Sequence, residues 1–373
     1  MKTKWLLIGV ALITAVLAIG AIACGDDNDD DNGDTNANAT QTDDTMDDAT
    51  GDTLADVIAR GSLICGVNDG VPGFGFLEAD GSSSGFDTDF CRAIAAAVLG
   101  DSEAVEFVIL TAAARFEALA AGEIDVLVRN TTWTQSRDGD LNGTFATITF
   151  YDGQGMMVRV ADGITSIDDM AGTTVCVLQG TTTELNLADR FAAGGLDYTP
   201  LTFEENGPLE AAFTAEACDG WTSDKSQLAA RRSTYAGEGG PESLVILDET
   251  FSKEPLGPVT RDGDTQWSDI VNWVVIGMIT ADEKGITSAN VADFIADPGE
   301  AETARLLGVG FEGGEVADLG LGLDPDFMQA VLSQIGNYDE VYQANITPIG
   351  IPREGTLNAS WLNGGLIYAP PTR

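Results

Sequence analysis

Residues 125–137 read Asp-Val-Leu-Val-Arg-Asn-Thr-Thr-Trp-Thr-Gln-Ser-Arg, an apolar run that passes directly into a polar one. Asp125 to Val128 has the apolar, β-branched composition of a buried strand. The polar side chains that follow stand at the carboxyl end of this predicted strand, where open α/β sheets bind ligands. Arg137 closes the stretch with a guanidinium fork suited to a carboxylate. The stretch favours an α/β fold with an anion-binding loop, although a polar surface loop with one exposed arginine is the commoner arrangement.

The predicted strand at 125–128 is the third in a β-α-β-α-β series. Ser62 to Val67 and Val105 to Leu110 predict the first two strands, and the intervening helix opens near Asp87, a candidate N-cap. Ala113 to Ala121 predicts a second helix that ends at Gly122. This order indicates a parallel sheet covered by helices. Later in the chain, strands are predicted at 175–178, 218–224 and 244–247, and helices at 185–191 and 267–279.

Charge and histidine content exclude several classes of function. The chain of 373 residues has 18 basic and 60 acidic residues, for a formal charge of −42. This charge argues against a nucleic acid partner and fits either adaptation to high salt or a self-repelling, soluble protein. The sequence has no histidine, which excludes Ser-His-Asp catalysis, Cys-His catalysis and His-ligated metal sites. Five cysteines form no Cys-x-x-Cys pair, so we expect neither a metal nor another cofactor.

The first residues have the character of an export signal. Lys2 and Lys4 precede an uncharged apolar run at 5–23, which predicts a signal peptide at 1–23. The small residues before Cys24 resemble the lipobox of bacterial lipoproteins, so lipidation of Cys24 is predicted, with an uncleaved membrane helix as the alternative. Residues 24–52 are rich in Asp and have no Lys or Arg, which predicts an acidic, disordered tether.

A set of short motifs extends from Leu54 to the C-terminus. They are Cys65-Gly-Val-Asn68, Gly85-Phe-Asp-Thr-Asp-Phe-Cys-Arg92, Gly122-Glu-Ile-Asp-Val126, Arg129-Asn-Thr-Thr-Trp-Thr134, Tyr151-Asp-Gly-Gln-Gly155, Gly180-Thr-Thr-Thr-Glu-Leu-Asn-Leu-Ala188 and Ser252-Lys-Glu-Pro-Leu-Gly-Pro258. As a set they resemble the periplasmic amino-acid-binding proteins of ABC importers, specifically the general L-amino-acid-binding group.

The resemblance implies a two-lobed α/β protein with the type II periplasmic-binding-protein fold. Residues 53–151 and 253–373 then form lobe 1, residues 152–252 form lobe 2, and two strands link the lobes as a hinge. The implied function is to bind an L-amino acid in the interlobe cleft and deliver it to an ABC permease, as a monomer outside the cytoplasm. An enzyme on the same fold, such as a dehydratase or lytic transglycosylase, and the sensing domain of a receptor are the alternatives.

The resemblance also implies the roles of individual residues. Arg137 and Thr134, with the turn from Asn130 to Thr132, are expected to hold the α-carboxylate from lobe 1. From lobe 2, Thr181 or Thr182 is expected to assist with backbone N–H groups at a helix start, although Thr181 and Glu184 also have the spacing of a capping box. Asp224 is expected to bind the α-ammonium, whereas on sequence alone it is more typical of a surface residue paired with Lys225.

Three further expectations concern residues around this site. Phe74 is expected to form an apolar wall for the ligand side chain, with a place in the core as the alternative. Arg129 is expected to contribute to stability more than to binding. Disulfides Cys65–Cys91 and Cys176–Cys218 are predicted because export places the chain in an oxidising space and each pair then lies within one lobe.

Overall fold

Two five-stranded sheets divide residues 52–373, the part of the chain that the computed structural model describes, into two lobes. The predicted signal peptide, the lipidation site Cys24 and all of the predicted tether except Asp52 lie outside these residues. Within residues 52–373, no helix is both long enough and apolar enough to cross a membrane. The two-lobed α/β fold predicted from the sequence is confirmed.

The first segment of lobe 1 contains four helices and seven strands. The helices are α1 (Thr53–Arg60), α2 (Phe86–Leu99), α3 (Arg115–Ala120) and α4 (Gln135–Gly139). The strands are β1 (Leu63–Val67), β2 (Gly70–Val71), β3 (Gly75–Leu77), β4 (Ser83–Ser84), β5 (Val105–Ile109), β6 (Val126–Leu127) and β7 (Gly143–Phe145). Strands β5 and β6 flank β1 in parallel, so the residues that follow these three strands meet at one edge of the sheet.

The chain then crosses into lobe 2 through β8 (Phe150–Asp152). Lobe 2 consists of β9 (Gln154–Arg159), β10 (Thr174–Leu178), α5 (Thr182–Gly194), β11 (Thr199–Phe203), α6 (Asn206–Thr214), β12 (Gly220–Asp224), α7 (Lys225–Ser233) and β13 (Leu244–Ile246). Its sheet has the order β11-β10-β12-β9-β13, with β10 parallel to β11 and β12. The ends of β10 and β12 therefore present Gly180 to Thr182 and Asp224 at a common edge.

The return crossing is β14 (Glu254–Leu256), which pairs antiparallel with β8 and completes a two-stranded hinge. The chain then adds β15 (Val259–Arg261) to the lobe 1 sheet and ends with α8 (Thr265–Glu283), α9 (Val291–Ala296), α10 (Ala301–Leu306), α11 (Phe327–Gln334) and α12 (Tyr338–Asn345). Strand β15 lies antiparallel between β6 and β7, so both chain segments contribute to one sheet.

Each lobe buries its own apolar residues. The lobe 1 core lies around the apolar helix α8, on which α2, α11 and α12 pack. Lobe 2 has two clusters, one containing Met157 and Trp221 and the other Met156 and Phe191, because successive side chains of β9 point to opposite faces of the sheet. The polar residues at the sheet edges are thereby left for the cleft between the lobes.

Both predicted disulfides are present. Cys65 joins Cys91 with the Cα atoms 6.1 Å apart, and Cys176 joins Cys218 with the Cα atoms 5.8 Å apart. The first links β1 to α2, and the second links β10 to the residues before β12. Each bridge therefore stays within one lobe.

The predicted N-cap of α2 is wrong. Gly85 occupies the cap position with φ of 129°, and a Cβ there would lie 2.2 Å from the carbonyl oxygen of Phe74, so no larger residue fits. Asp87 instead lies buried in the first turn of the helix. Its carboxylate accepts a hydrogen bond from the backbone N–H of Asn130 at 2.6 Å. Asp87 thus supports the turn that the sequence singles out.

Candidate functional site

A small cavity lies between the two lobes, at the edges where the parallel strands end. Its walls from lobe 1 are Asn68, Arg115, Arg129, Asn130 and Thr132. From lobe 2 they are Leu178, Thr181, Thr182, Thr183, Ser223, Asp224 and Gln227. Its walls are mostly polar or charged, as suits a charged ligand rather than an apolar one.

The turn after β6 has a backbone conformation that non-glycine residues rarely adopt. Asn130 has φ of 34°, and its neighbours hold it there. Asp87 accepts from its backbone N–H, and the Asn68 side-chain amide donates to its side-chain oxygen at 3.2 Å. Thr132 follows on the cavity wall. The turn is thus fixed in place before any ligand arrives, as binding loops often are.

Arg137 is a buried residue rather than the exposed arginine of a surface loop. It is 6% exposed, its guanidinium donates to the Thr132 carbonyl oxygen at 2.8 Å, and it lies over the Phe116 ring, 5.5 Å from the centroid. Burial lowers its pKa, while the carboxylates of Glu254 and Asp224 oppose that change. Arg137 is not itself part of the cavity wall; it is a desolvated charge beside Thr132 of that wall, close to carboxylates of the hinge and of lobe 2.

The structure corrects the role expected for Thr134. Its hydroxyl caps α4 by accepting from the Arg137 backbone N–H at 3.3 Å, and it lies 3.2 Å from the Ser136 hydroxyl. Thr134 is not part of the cavity wall. Its contribution is to set where Arg137 enters the helix.

The start of α5 supplies the lobe 2 side of the cavity. Thr181 is the N-cap, with a hydroxyl that accepts from the Glu184 N–H at 3.1 Å and donates to the Leu178 carbonyl oxygen at 2.7 Å. Glu184 accepts from the N–H of Gly180 rather than of Thr181, so the capping box is incomplete. The N–H groups of Thr182 and Thr183 have no intrahelical acceptor, which makes this turn an anion site.

Asp224 does not pair with Lys225 at the surface. It is 5% exposed, and Lys225 instead donates to the Asp248 carbonyl oxygen at 2.8 Å. Oδ1 of Asp224 has no hydrogen-bond partner among the described residues. Burial, followed by the carboxylates of Asp152 and Glu254, raises the pKa of Asp224 well above its usual range. A buried carboxylate oxygen without a donor is suited to a cationic ligand group.

Two hinge carboxylates that the sequence reading did not assign lie near Asp224. Asp152 on β8 and Glu254 on β14 are directly opposite in the hinge ladder. Burial raises the pKa of Asp152 to about 6. Glu254 accepts from the Thr182 hydroxyl at 2.8 Å and the Asn186 amide at 2.9 Å. Within residues 52–373 no group of acidic or cysteine side chains is arranged to hold a metal ion.

The sequence reading also did not assign two arginines to the cavity wall. Arg129 donates from Nε to the Leu110 carbonyl oxygen at 2.7 Å, and burial lowers its pKa to about 10. Arg115, 3% exposed, lies over the Phe116 ring, 5.5 Å from the centroid, and its Nε has no hydrogen-bond partner among the described residues. Both follow the carboxyl end of a sheet strand, and this position is the signal that could have identified them.

Phe74 is not a wall of the cavity. It is 1% exposed and packs edge-on against Phe150 at 5.1 Å and Phe86 at 6.0 Å between ring centroids. These rings belong to the lobe 1 core, whose burial of apolar surface outweighs a place in the polar cleft. The alternative noted for Phe74, a core position, is the one observed.

Comparison with known proteins identifies similar chains. The model of the family described as "Bacterial extracellular solute-binding proteins, family 3" matches residues 63–285. This range begins at β1 and ends just after α8, so it includes both lobes and the hinge.

Two named relatives are similar over most of their length. The "Glutamate/glutamine/aspartate/asparagine-binding protein BztA" of Rhodobacter capsulatus is 49% identical over 323 residues, which cover 85% of this chain and 92% of the relative. The "General L-amino acid-binding periplasmic protein AapJ" of Rhizobium johnstonii is 46% identical over 321 residues, with 85% and 92% coverage.

A solved structure supports the same relationship. It is described as an "ABC transporter / periplasmic binding protein from Brucella ovis with glutathione bound". That chain is 44% identical, and the match has a TM-score of 0.81 and covers 86% of this chain and 99% of the other. The similarity therefore extends to the arrangement of the two lobes.

Proposed function

Because this chain belongs to family 3 of the bacterial extracellular solute-binding proteins, we propose that it binds L-amino acids between its lobes and delivers them to an ABC permease. The observation that carries the proposal is a pair of buried opposite charges on the two sides of the cleft: Asp224 of lobe 2 lines the cavity, and Arg137 of lobe 1 donates to Thr132 of the cavity wall. Its relatives are named for amino-acid binding and for ABC transport. These names support two parts of the proposal, the ABC importer as partner and amino acids as the class of ligand.

The zwitterion of an amino acid matches the charges of this cleft. We place the α-carboxylate between the Arg137 guanidinium and the free N–H groups of Thr182 and Thr183. The α-ammonium lies at Asp224, where it supplies the donor that Oδ1 lacks. Each charge of the ligand is thereby paired in a desolvated site, which is the condition under which buried charges are favourable.

Closure of the lobes follows from this placement. The Thr132 hydroxyl of lobe 1 lies 3.4 Å from the Thr182 hydroxyl of lobe 2, so the cleft is closed at this point. Because the ligand contacts both lobes, its binding free energy is realised mainly in the closed form and shifts the hinge equilibrium toward it. The permease can then distinguish loaded from empty protein by the closed shape.

We extend the proposal to the location and state of the protein. It is exported, anchored through a lipid on Cys24, and monomeric. It binds its ligand without converting it, since the sequence has no histidine and the named relatives are binding proteins. Incubation of purified protein with amino acids and analysis of the products by mass spectrometry tests this last point, and any turnover contradicts it.

Removal of either charge tests the proposal. In Arg137→Ala the α-carboxylate loses its fork, and in Asp224→Asn the ammonium loses its charged acceptor. Loss of one partner of a buried charge pair costs about 2–5 kcal/mol, roughly 30-fold to several-thousand-fold in affinity. Isothermal titration calorimetry with a panel of L-amino acids should show this loss for every ligand that the wild-type protein binds.

Matched controls separate the site from general charge effects. Arg190→Ala removes an arginine of α5 that contacts the exposed Asp168, and Asp293→Asn neutralises an exposed residue of α9. Both controls should bind within about threefold of wild type, a difference below about 1 kcal/mol. The site assignment fails if the Arg137 and Asp224 variants behave like these controls.

A further inference from the structure

Three buried arginines lie at the cleft, and they differ in what compensates their charge. Arg137 donates to the Thr132 carbonyl oxygen and is near both Glu254 and Asp224. Arg129 donates to the Leu110 carbonyl oxygen and is near Asp69 and Asp87. Arg115 is near one carboxylate, Asp224, and faces the positive charges of the other two arginines.

Asp224 is already engaged in the proposed complex. Its carboxylate lies near the charges of Arg115 and Arg137 in the structure. In the proposed complex it pairs with the ligand's ammonium. Arg115 is then left without a carboxylate of its own. A desolvated guanidinium with an unpartnered Nε is destabilising unless another group supplies the missing acceptor.

The other polar side chains of the cavity are occupied. The Gln227 amide donates to the Asn206 side-chain oxygen at 2.7 Å, and its oxygen accepts from the Ser223 hydroxyl at 2.9 Å. Asn68 donates to Asn130 and accepts from the Gly70 N–H at 3.1 Å. Of the two arginines that line the cavity, Arg129 uses its Nε for the Leu110 carbonyl oxygen, whereas Arg115 makes no side-chain hydrogen bond among the described residues and so has the larger donor capacity left for a ligand.

We propose that Arg115 receives an acceptor oxygen on the side chain of the bound amino acid and thereby selects acidic and amide side chains. The proposal rests on the proposed function and concerns which side chains the site prefers. The relatives' names leave this preference open, since one relative is named for four acidic and amide ligands and another for L-amino acids in general. A carboxylate accepts from a guanidinium more strongly than an amide oxygen does, because that hydrogen bond joins two charges. Apolar side chains leave Arg115 unpaired.

The test compares ligands of similar length that differ at the side-chain end. L-Glutamate, L-glutamine and L-norvaline carry a carboxylate, an amide and a methyl group there. Calorimetric titrations should show that wild type binds glutamate more tightly than glutamine and at least 30-fold more tightly than norvaline. In Arg115→Met, glutamate affinity should fall at least 30-fold while norvaline affinity changes by less than threefold.

Arg92→Met is a matched control. Arg92 also lies in lobe 1 over a phenylalanine ring, 5.1 Å from the Phe107 centroid, but it donates to Asp89 at 3.0 Å and does not line the cavity. It should keep the wild-type order of affinities. The midpoint of thermal unfolding without ligand should be unchanged or raised in Arg115→Met, because the variant removes an unpaired buried charge.

The outcomes separate this inference from the proposed function. If wild type binds no member of the L-amino acid panel, the proposed function fails; if it binds other members but neither glutamate nor glutamine, the inference alone fails. An equal loss of all three ligands in Arg115→Met overturns the inference alone, because it assigns Arg115 to the shared α-carboxylate. Unchanged glutamate binding in that variant overturns the inference as well. Loss of glutamate selectivity with norvaline binding preserved supports it.

Discussion

Asp224 is a buried carboxylate and Asp152 a partly buried one, and the pKa values of both lie above the usual range. As the pH rises, these raised pKa values lower the free energy of unfolding but favour ligand binding. Burial is the main cause in both, and each carboxylate is also near Glu254. With a pKa of about 6 in the folded protein against 3.8 for an exposed group, Asp152 holds a proton that the unfolded chain releases. The contribution of Asp152 to the free energy of unfolding without ligand is therefore fully present below about pH 4 and is lost as the pH rises through about 6.

We predict that ligand affinity changes with pH in the opposite direction. The ammonium of a bound amino acid favours the ionised form of Asp224, so binding releases protons and strengthens as the pH rises above the usual aspartate pKa of 3.8. L-Glutamine is the suitable ligand because its side chain does not titrate. Calorimetry near pH 6, in buffers that differ in ionisation enthalpy, should report the proton release.

Asp152→Asn should reduce that release while retaining binding, because it removes one of the coupled carboxylates but leaves Asp224. In wild type without ligand, the free energy of unfolding should fall by on the order of 2–3 kcal/mol as the pH rises through the pKa of Asp152. Asp152→Asn should remove most of this pH dependence. Proton uptake on binding would contradict the placement of the ammonium at Asp224.

The residues at the site differ in how readily the sequence predicts them. Arg137 closes the polar stretch at 125–137 and the role of Asp224 comes from the resemblance, yet the burial of both follows from the packing of the two lobes and has no local sequence signal. Arg115 follows β5 as Asn130 follows β6. Because ligands bind at the carboxyl ends of parallel strands, Arg115 could have been predicted as a site residue from its position. Phe74 shows the converse, since a lone aromatic after a turn carries no information on which side of the backbone its ring will lie.

At the level of elements, the strands and helices that the sequence predicted lie within a few residues of the observed ones because their apolar periodicity is strong, whereas β11, α6 and α7 were not predicted. The predicted strand at 125–128 is observed as β6 (Val126–Leu127), and the predicted helix at 267–279 as α8 (Thr265–Glu283). The start of α2 was mispredicted because Asp87 has the chemistry of a cap, while the close approach of Phe74 requires glycine at the cap position.

The disulfides connect elements within a lobe, so we predict that they stabilise the fold without controlling the hinge. The sequence separations of 26 and 42 residues correspond to roughly 3–4 kcal/mol each in the chain-entropy account. The double variants Cys65→Ala/Cys91→Ala and Cys176→Ala/Cys218→Ala should each lower the free energy of unfolding by about that amount, measured with urea. Ligand affinity at a temperature where the variants remain folded should stay within about twofold of wild type.

Reduction of the wild-type protein with dithiothreitol is the matched control, because it opens both bridges without removing atoms. The stability lost on reduction should be close to the sum of the two variants. A large loss of affinity with either bridge removed would show that a bridge acts on the cleft rather than on one lobe.

For the whole molecule, the two-lobed architecture was predictable because the motifs that indicate it are spread through both lobes and the hinge. The closed arrangement at the cleft was not, since it depends on contacts such as Thr132 with Thr182 and Thr182 with Glu254. These join residues 50 and 72 positions apart, so no local pattern encodes them. Three residues on separate segments thus couple the lobes to the hinge strand.

The last prediction concerns how the whole protein is held at the membrane. The formal charge is −42, and no Lys or Arg lies between Gly25 and Gly51, so anionic lipids repel the molecule. We predict that attachment depends on acyl chains at Cys24, since two or more chains give stable anchoring. High salt, which releases proteins held by charge, should leave the wild type in the membrane fraction, whereas Cys24→Ala should lose the lipid.

Mass analysis of the mature N-terminus should find diacylglycerol on Cys24 and nothing before it. An intact segment from Met1 to Ala23 would instead identify an uncleaved helix, and soluble wild-type protein beginning near Gly25 would contradict both modes of attachment.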